Sequence, residues 1–124
     1  MMSAGDDWSI VFYTEEDGRS PVVEFLDGLD VKTRARFDWS IEQLRQRNVQ
    51  ARPPLVRHLE GKLWELREES NTNIYHIIYV FFTGRHIVFL HGFQKKSQRT
   101  PRREIETALA RLGRFTARQG ETQS

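Results

Sequence analysis

Hydrophobic and polar positions change period twice along this chain. Trp8 to Thr14 (WSIVFYT) is rich in β-branched and aromatic residues and predicts a first strand. The polar EEDGRS that follows predicts a turn. From Ser20 the period becomes helical. Val22, Phe25, Leu26 and Leu29 recur at i, i+3, i+4 and i+7, behind a Ser20 cap and Pro21 at the first helical position. Asp30 predicts the cap of a second helix reaching about Asn48. Phe37, Ile41 and Leu44 form its inward stripe, and Arg34, Arg45 and Arg47 face water. Almost no loop separates the two segments, which predicts a helical hairpin.

Arg52-Pro53-Pro54 closes the helical part, and the period then falls to two. Leu63 to Glu68, Asn73 to Phe82 and His86 to Phe93 predict three strands. NIYHIIYVFF (Asn73 to Phe82) is apolar on both faces and should be central. Phe82 to Arg85 is the turn before the third strand, and short connections predict an antiparallel meander. Thr100-Pro101 predicts the start of a last helix, with Ile105, Ala108, Leu109 and Leu112 buried. After Arg114 the polar tail should fray. No repeat or linker interrupts this order. The expectation is one α+β domain over 1–124, with its core at about 8–114: N-terminal strand, helical hairpin, antiparallel sheet and C-terminal helix.

Composition narrows the class. The 124 residues are 38% hydrophobic and 29% charged, a globular balance. The absence of cysteine excludes disulfides and thiolate metal sites and fits a reducing cytoplasm. MMSAGDDW does not read as a secretory signal, and no run approaches the ~18 apolar residues of a membrane span. The net charge of +2 hides an asymmetry. Residues 1–30 hold one basic residue against eight acidic, whereas 85–118 hold nine basic against two acidic. A basic C-terminal third suits a polyanion, and equally a solvated face.

Strand alternation places candidate chemistry. Trp64 and Leu66 point one way, and Leu63, Glu65 and Arg67 the other. Ile74, His76, Ile78 and Val80 share a face, as do Ile87, Phe89, His91 and Phe93. If the helical hairpin covers one side of the sheet, the other is partly open. Arg67, His76, His91 and the Lys95–Lys96 loop then converge on it. Such a set can cut RNA without metal. The 2′-hydroxyl attacks the adjacent phosphate, histidine moves protons, and arginine and lysine hold the charge. Blander readings stand beside this one. His76 as a core histidine, Arg67 in a surface pair with Glu65 or Glu69, and a solvated lysine loop each fit the same residues. The four histidines show no HExxH or HxxxH spacing, and there is neither a P-loop nor GxGxxG, so no metal or cofactor is indicated.

GKLWELR, NIYHIIYV and IVFLHGFQKKSQRTPRREIE together resemble the phage-related, HigB-like branch of the RelE/ParE toxin superfamily. The resemblance runs from about Trp8 to Leu112. It implies the toxin of a type II toxin–antitoxin pair that cleaves mRNA on the ribosome without metal, on a RelE-like fold. Arg67 matches the arginine of the W-E-L-R segment. Lys95 and Lys96 match the paired lysines after H-G-F, and His91 the histidine before them. His76 stands where relatives have arginine. Lys62, Arg85 and Arg99 are further cations expected to hold RNA. The implied partners are a cognate antitoxin of helix-turn-helix type, mRNA and the ribosome, with no membrane. The alternatives are a non-enzymatic ParE-like inhibitor of DNA gyrase and a relic that only binds antitoxin.

Overall fold

The structure, a computed structural model, describes residues 8–96 and 99–123. The elements in order are β1 (Ser9–Phe12), α1 (Pro21–Asp27), α2 (Val31–Arg47), β2 (Val56–Glu60), β3 (Leu63–Ser70), β4 (Asn73–Phe82), β5 (His86–Lys95) and α3 (Arg102–Gln123). This is the expected α+β order with one strand more. The five strands form one sheet in the order β1-β5-β4-β3-β2, with β4 central. β2 to β5 make an antiparallel meander. β1 instead lies parallel to β5, with Ser9 opposite His86, so the sheet is not wholly antiparallel. β2 escaped the sequence reading because its register shifts between His58 and Glu60, which breaks strict alternation.

The caps stand where the sequence puts them. Ser20 Oγ accepts from the Val23 amide at 3.4 Å, and Asp30 Oδ1 from the Thr33 amide at 2.7 Å. A cap of this kind contributes about 1 kcal/mol. α1 and α2 cover one face of the sheet. Val22, Leu26, Phe37 and Leu44 pack there on Leu66, Ile77, Tyr79, Ile87 and Phe89. Each such side chain contributes roughly 1.5–3 kcal/mol on burial. Trp64 is on this face too, against His58 and Phe81, but it is half-buried rather than buried. Gly92 lies directly under Phe25. A Cβ there would stand 2.4 Å from Phe25 Cδ2, so the glycine lets α1 seat on β5.

The second face is not left open along its length, as the sequence suggested. α3 covers it, with Ile105 and Ala108 packed on Leu63, Ile78, Val80, Val88, Leu90 and Phe93. The helix also continues past Arg114 instead of fraying. Phe115 packs edge-on against Phe82 at 5.1 Å, and Arg118 donates to the Thr14 carbonyl at 2.6 Å. Leu109, expected to be buried, is 39% exposed. The stripe Ile105, Ala108, Leu112, Phe115 leaves it on the solvent edge.

A bulge corrects one shared face. Tyr79 pairs with Phe89, but Ile78 pairs with His91, so Leu90 is an extra residue. Ile87 and Phe89 therefore face the helical hairpin, while Phe93 packs on the α3 side and His91 stacks on it.

Candidate active site

Register brings one group of side chains together. Arg67 on β3 is directly opposite His76 on β4, which is opposite Phe93 on β5. Two residues from Arg67, Glu65 shares its face, and Ile74 opposite Lys95 extends the same side. Beyond the part of the sheet that α3 covers, a pocket of about 610 Å³ opens. Arg57, Arg67, Asn73, His76, Lys95 and Lys96 line it.

Its floor is a buried pair. Glu65 Oε2 lies 2.8 Å from His76 Nδ1, and the two side chains are 1% and 2% exposed. The contact is an ion-pair distance without hydrogen-bond alignment, and His76 Nε2 has no hydrogen-bond partner among the described residues. Glu65 also collects three neighbours. Arg57 Nη2 donates to Oε1 at 2.7 Å, Thr100 Oγ donates to Oε2 at 3.0 Å, and Lys95 Nζ is 4.0 Å from Oε1. Burial pushes the Glu65 carboxyl up, but His76, Arg57 and Lys95 together outweigh it and hold the group below its ordinary value. Thr100, at the far end of the lysine loop, is thereby tied to the sheet.

The rim is cationic. Lys95 is nearly enclosed, its side chain 7% exposed. Burial lowers its pKa, and Arg57 and Arg67 add to that against the pull of Glu65. Arg67 pairs with the exposed Glu69, one of the two partners expected for it, and Lys96 is exposed at the mouth. Four cations thus line the pocket, and two of them, Arg57 and Lys95, reach the buried Glu65 carboxylate beneath it. A phosphate brought into the pocket meets an excess of positive charge and several N–H donors.

Other expected residues lie elsewhere. His91 stacks on Phe93 at 5.5 Å, while His76 sits at 5.7 Å from that same ring. The two histidines do not share a pocket. α3 holds His91 instead: Nε2 donates to Glu104 Oε1 at 2.7 Å, and Nδ1 accepts from Arg111 at 3.0 Å. The Leu90 bulge and the cover of α3 are the reason. Burial lowers the His91 pKa, and Arg111 adds to this while Glu104 opposes it. Lys62 and Arg85 sit in the β2–β3 and β4–β5 turns. At ~3.3 Å per residue, that end of the sheet is roughly 20 Å from His76. Arg99 is exposed just before Thr100, whereas Ser97 and Gln98 of the loop lie outside the described residues.

A model of the family described as phage derived protein Gp49-like (DUF891) matches residues 24–113. The chain belongs to this Gp49-like family. Two relatives from Mycobacterium tuberculosis, strains CDC 1551 / Oshkosh and ATCC 25618 / H37Rv, are both named probable endoribonuclease HigB1. Each is 30% identical over 100 residues, covering 81% of this chain and 78% of the relative. The likeness to the HigB-like branch of the RelE/ParE toxins therefore holds.

The Gp49-like match takes in every residue of the pocket. Sequence reasoning missed three members of the cluster: Arg57, Glu65 as its hub, and Thr100. The alternation of LWELR already put Glu65 on the face of Arg67. Arg57 was hidden in the unread strand. Thr100 was read as part of a helix start, and its hydroxyl instead reaches the floor.

Proposed function

We propose that this protein is the toxin of a bacterial toxin–antitoxin pair, an endoribonuclease that cuts mRNA on the ribosome without metal. The observation that carries this reading is the Glu65–His76 floor beneath the cations Arg57, Arg67, Lys95 and Lys96. The HigB1 relatives, named probable endoribonucleases, support it. The 2′-oxygen attacks the phosphorus, and the bond to the 5′-oxygen breaks. One proton leaves the 2′-hydroxyl and one arrives on the 5′-oxygen, giving a cyclic phosphate and a 5′-hydroxyl. Charge gathers on the phosphoryl oxygens in the transition state, where Arg57, Arg67 and Lys96 stabilise it. Lys95 is assigned to proton transfer, because enclosure loosens its proton. His76 is a positioning residue. Its ring nitrogens are shielded, and it holds the Glu65 carboxylate that sets Arg57 and Lys95 in place. A cognate antitoxin with an acidic segment that covers the basic pocket would silence it.

The test adds the full chain to a translation extract carrying a reporter mRNA. The expected fragments end in a cyclic phosphate and begin with a 5′-hydroxyl, and they are absent without ribosomes or with Arg67→Ala. Fragments beginning with a 5′-phosphate overturn the 2′-hydroxyl mechanism. Intact mRNA together with gyrase-linked DNA breaks in cells overturns the whole reading.

A further inference from the structure

On the opposite face of the sheet, α2 and the edge of β3 enclose a second groove of about 390 Å³. Trp39, Gln43, Arg47, Pro54, Leu55 and Arg67 line it. Trp39 is 62% exposed, a large aromatic surface held in water on a helix whose other face is core. Arg67 lines both this groove and the cationic pocket, so the two cavities adjoin the same residue of β3. At that edge the Arg67 amide donates to the Leu55 carbonyl at 3.1 Å, and past this last backbone bond β2 no longer pairs with β3.

The two cavities differ in chemistry. The pocket is cationic. The groove is mainly apolar, with two carboxylates on its wall: Glu68, which accepts from Ser40 Oγ at 2.6 Å, and Glu69, paired to Arg67. Those carboxylates repel a phosphate but accept from the amino edge of a base. The volume is in the range of a small-ligand site.

We propose that Trp39 is the stacking platform for a nucleobase flanking the scissile phosphate, with Arg67 as the hinge between base and phosphate subsites. This rests on the endoribonuclease reading above. Stacking of a base on an aromatic side chain is sequence-tolerant and contributes ~1–3 kcal/mol, roughly a 5- to 150-fold effect on the bound strand. The groove thus orients the RNA strand and leaves the chemistry to the pocket.

A mutant cycle in the translation extract tests it, using the full chain and a reporter mRNA with an abasic ribonucleotide at successive positions beside the cut. Trp39→Ala is expected to lower cleavage about 10-fold or more, with an unchanged thermal melt. Trp39→Phe should restore most of the loss. At one flanking position the abasic nucleotide should slow the wild type comparably and slow Trp39→Ala no further. If the two losses multiply instead, Trp39 contacts something other than that base, such as a protein, and the proposal is overturned. Wild-type cleavage with Trp39→Ala equally fast overturns the stacking site alone. Failure of the wild type to cut mRNA overturns the endoribonuclease reading, and the stacking site with it.

Discussion

Glu65 and His76 meet at 2.8 Å inside the sheet, each at most 2% exposed. A buried carboxylate is costly unless it is compensated, and here His76, Arg57, Thr100 and Lys95 compensate it. Replacing it strips four neighbours of one partner. Glu65→Ala should therefore destabilise the fold by about 3–5 kcal/mol, read from urea unfolding. A loss below ~1 kcal/mol contradicts the assignment of Glu65 as hub. The pH dependence follows from its lowered pKa. A carboxyl depressed in the folded state adds stability above its unfolded value, and this is lost as pH falls through the folded one. Wild-type stability should fall as pH drops below about 4.5, and Glu65→Gln should show less of that acid loss.

His91 sets a second, higher pH window. Burial and Arg111 favour its neutral ring against the pull of Glu104. With a folded pKa below the ordinary 6.5, its contribution is present above that value and lost as pH falls through the folded one. Wild type should lose stability as pH falls below about 6.5, and His91→Gln should flatten that part of the curve. Thermal melts across this range in both proteins decide it. An unchanged slope in the variant would show that the His91 site does not titrate on unfolding.

Gly92 and Phe25 offer a test of packing at the site's edge. A Cβ at 2.4 Å from the Phe25 ring forces α1 or the ring to move. Gly92→Ala should cost about 1–3 kcal/mol, the range of overpacked cores. Pairing it with Phe25→Leu should recover part of the loss, because the smaller side chain opens room. If Gly92→Ala melts with the wild type, the close seat of α1 on β5 is not what the glycine serves.

Most of the fold was legible because local signals and tertiary structure agree. Ser20-Pro21 and Asp30 cap their helices, and the apolar character of both faces of NIYHIIYVFF marks the central strand. The misreadings share a cause: each depends on contacts between elements distant in sequence. The Leu90 bulge moves His91 to another face, and no local pattern at HIVFLHGF announces it. α3 persists past Arg114 because Phe115 and Arg118 find Phe82 and the β1 end of the chain. Of the site, alternation and register brought Arg67, His76 and Lys95 together as expected. Arg57 and Thr100 arrive through tertiary contacts that periodicity does not encode.

Lys95 is the residue on which the chemical reading turns. Its ammonium is enclosed, 4.0 Å from Glu65 Oε1 and flanked by Arg57 and Arg67, and burial lowers its pKa. A fixed charge at this place serves electrostatics alone, whereas a group with a loosened proton serves proton transfer too. The two roles separate in Lys95→Arg, which keeps the charge and cannot release a proton near neutral pH. Proton transfer typically contributes 10²–10⁴-fold, so Lys95→Arg should lower kcat by at least ~10²-fold with little change in KM. Lys95→Ala with Lys96→Ala should abolish growth inhibition, since removing a charge-stabilising donor costs ~10²-fold or more. Arg102 gives the contrast. It belongs to the same basic run, but it pairs with Glu60 at 2.7 Å and is 59% exposed at the start of α3. Arg102→Ala should leave growth inhibition and mRNA cleavage intact, because such an exposed pair contributes at most ~1 kcal/mol. The readouts are growth on expression without antitoxin and cleavage in the extract. Wild-type kcat in Lys95→Arg assigns Lys95 to charge stabilisation only. Undiminished toxicity in the double lysine variant means that Lys95 and Lys96 take no part in holding the phosphate.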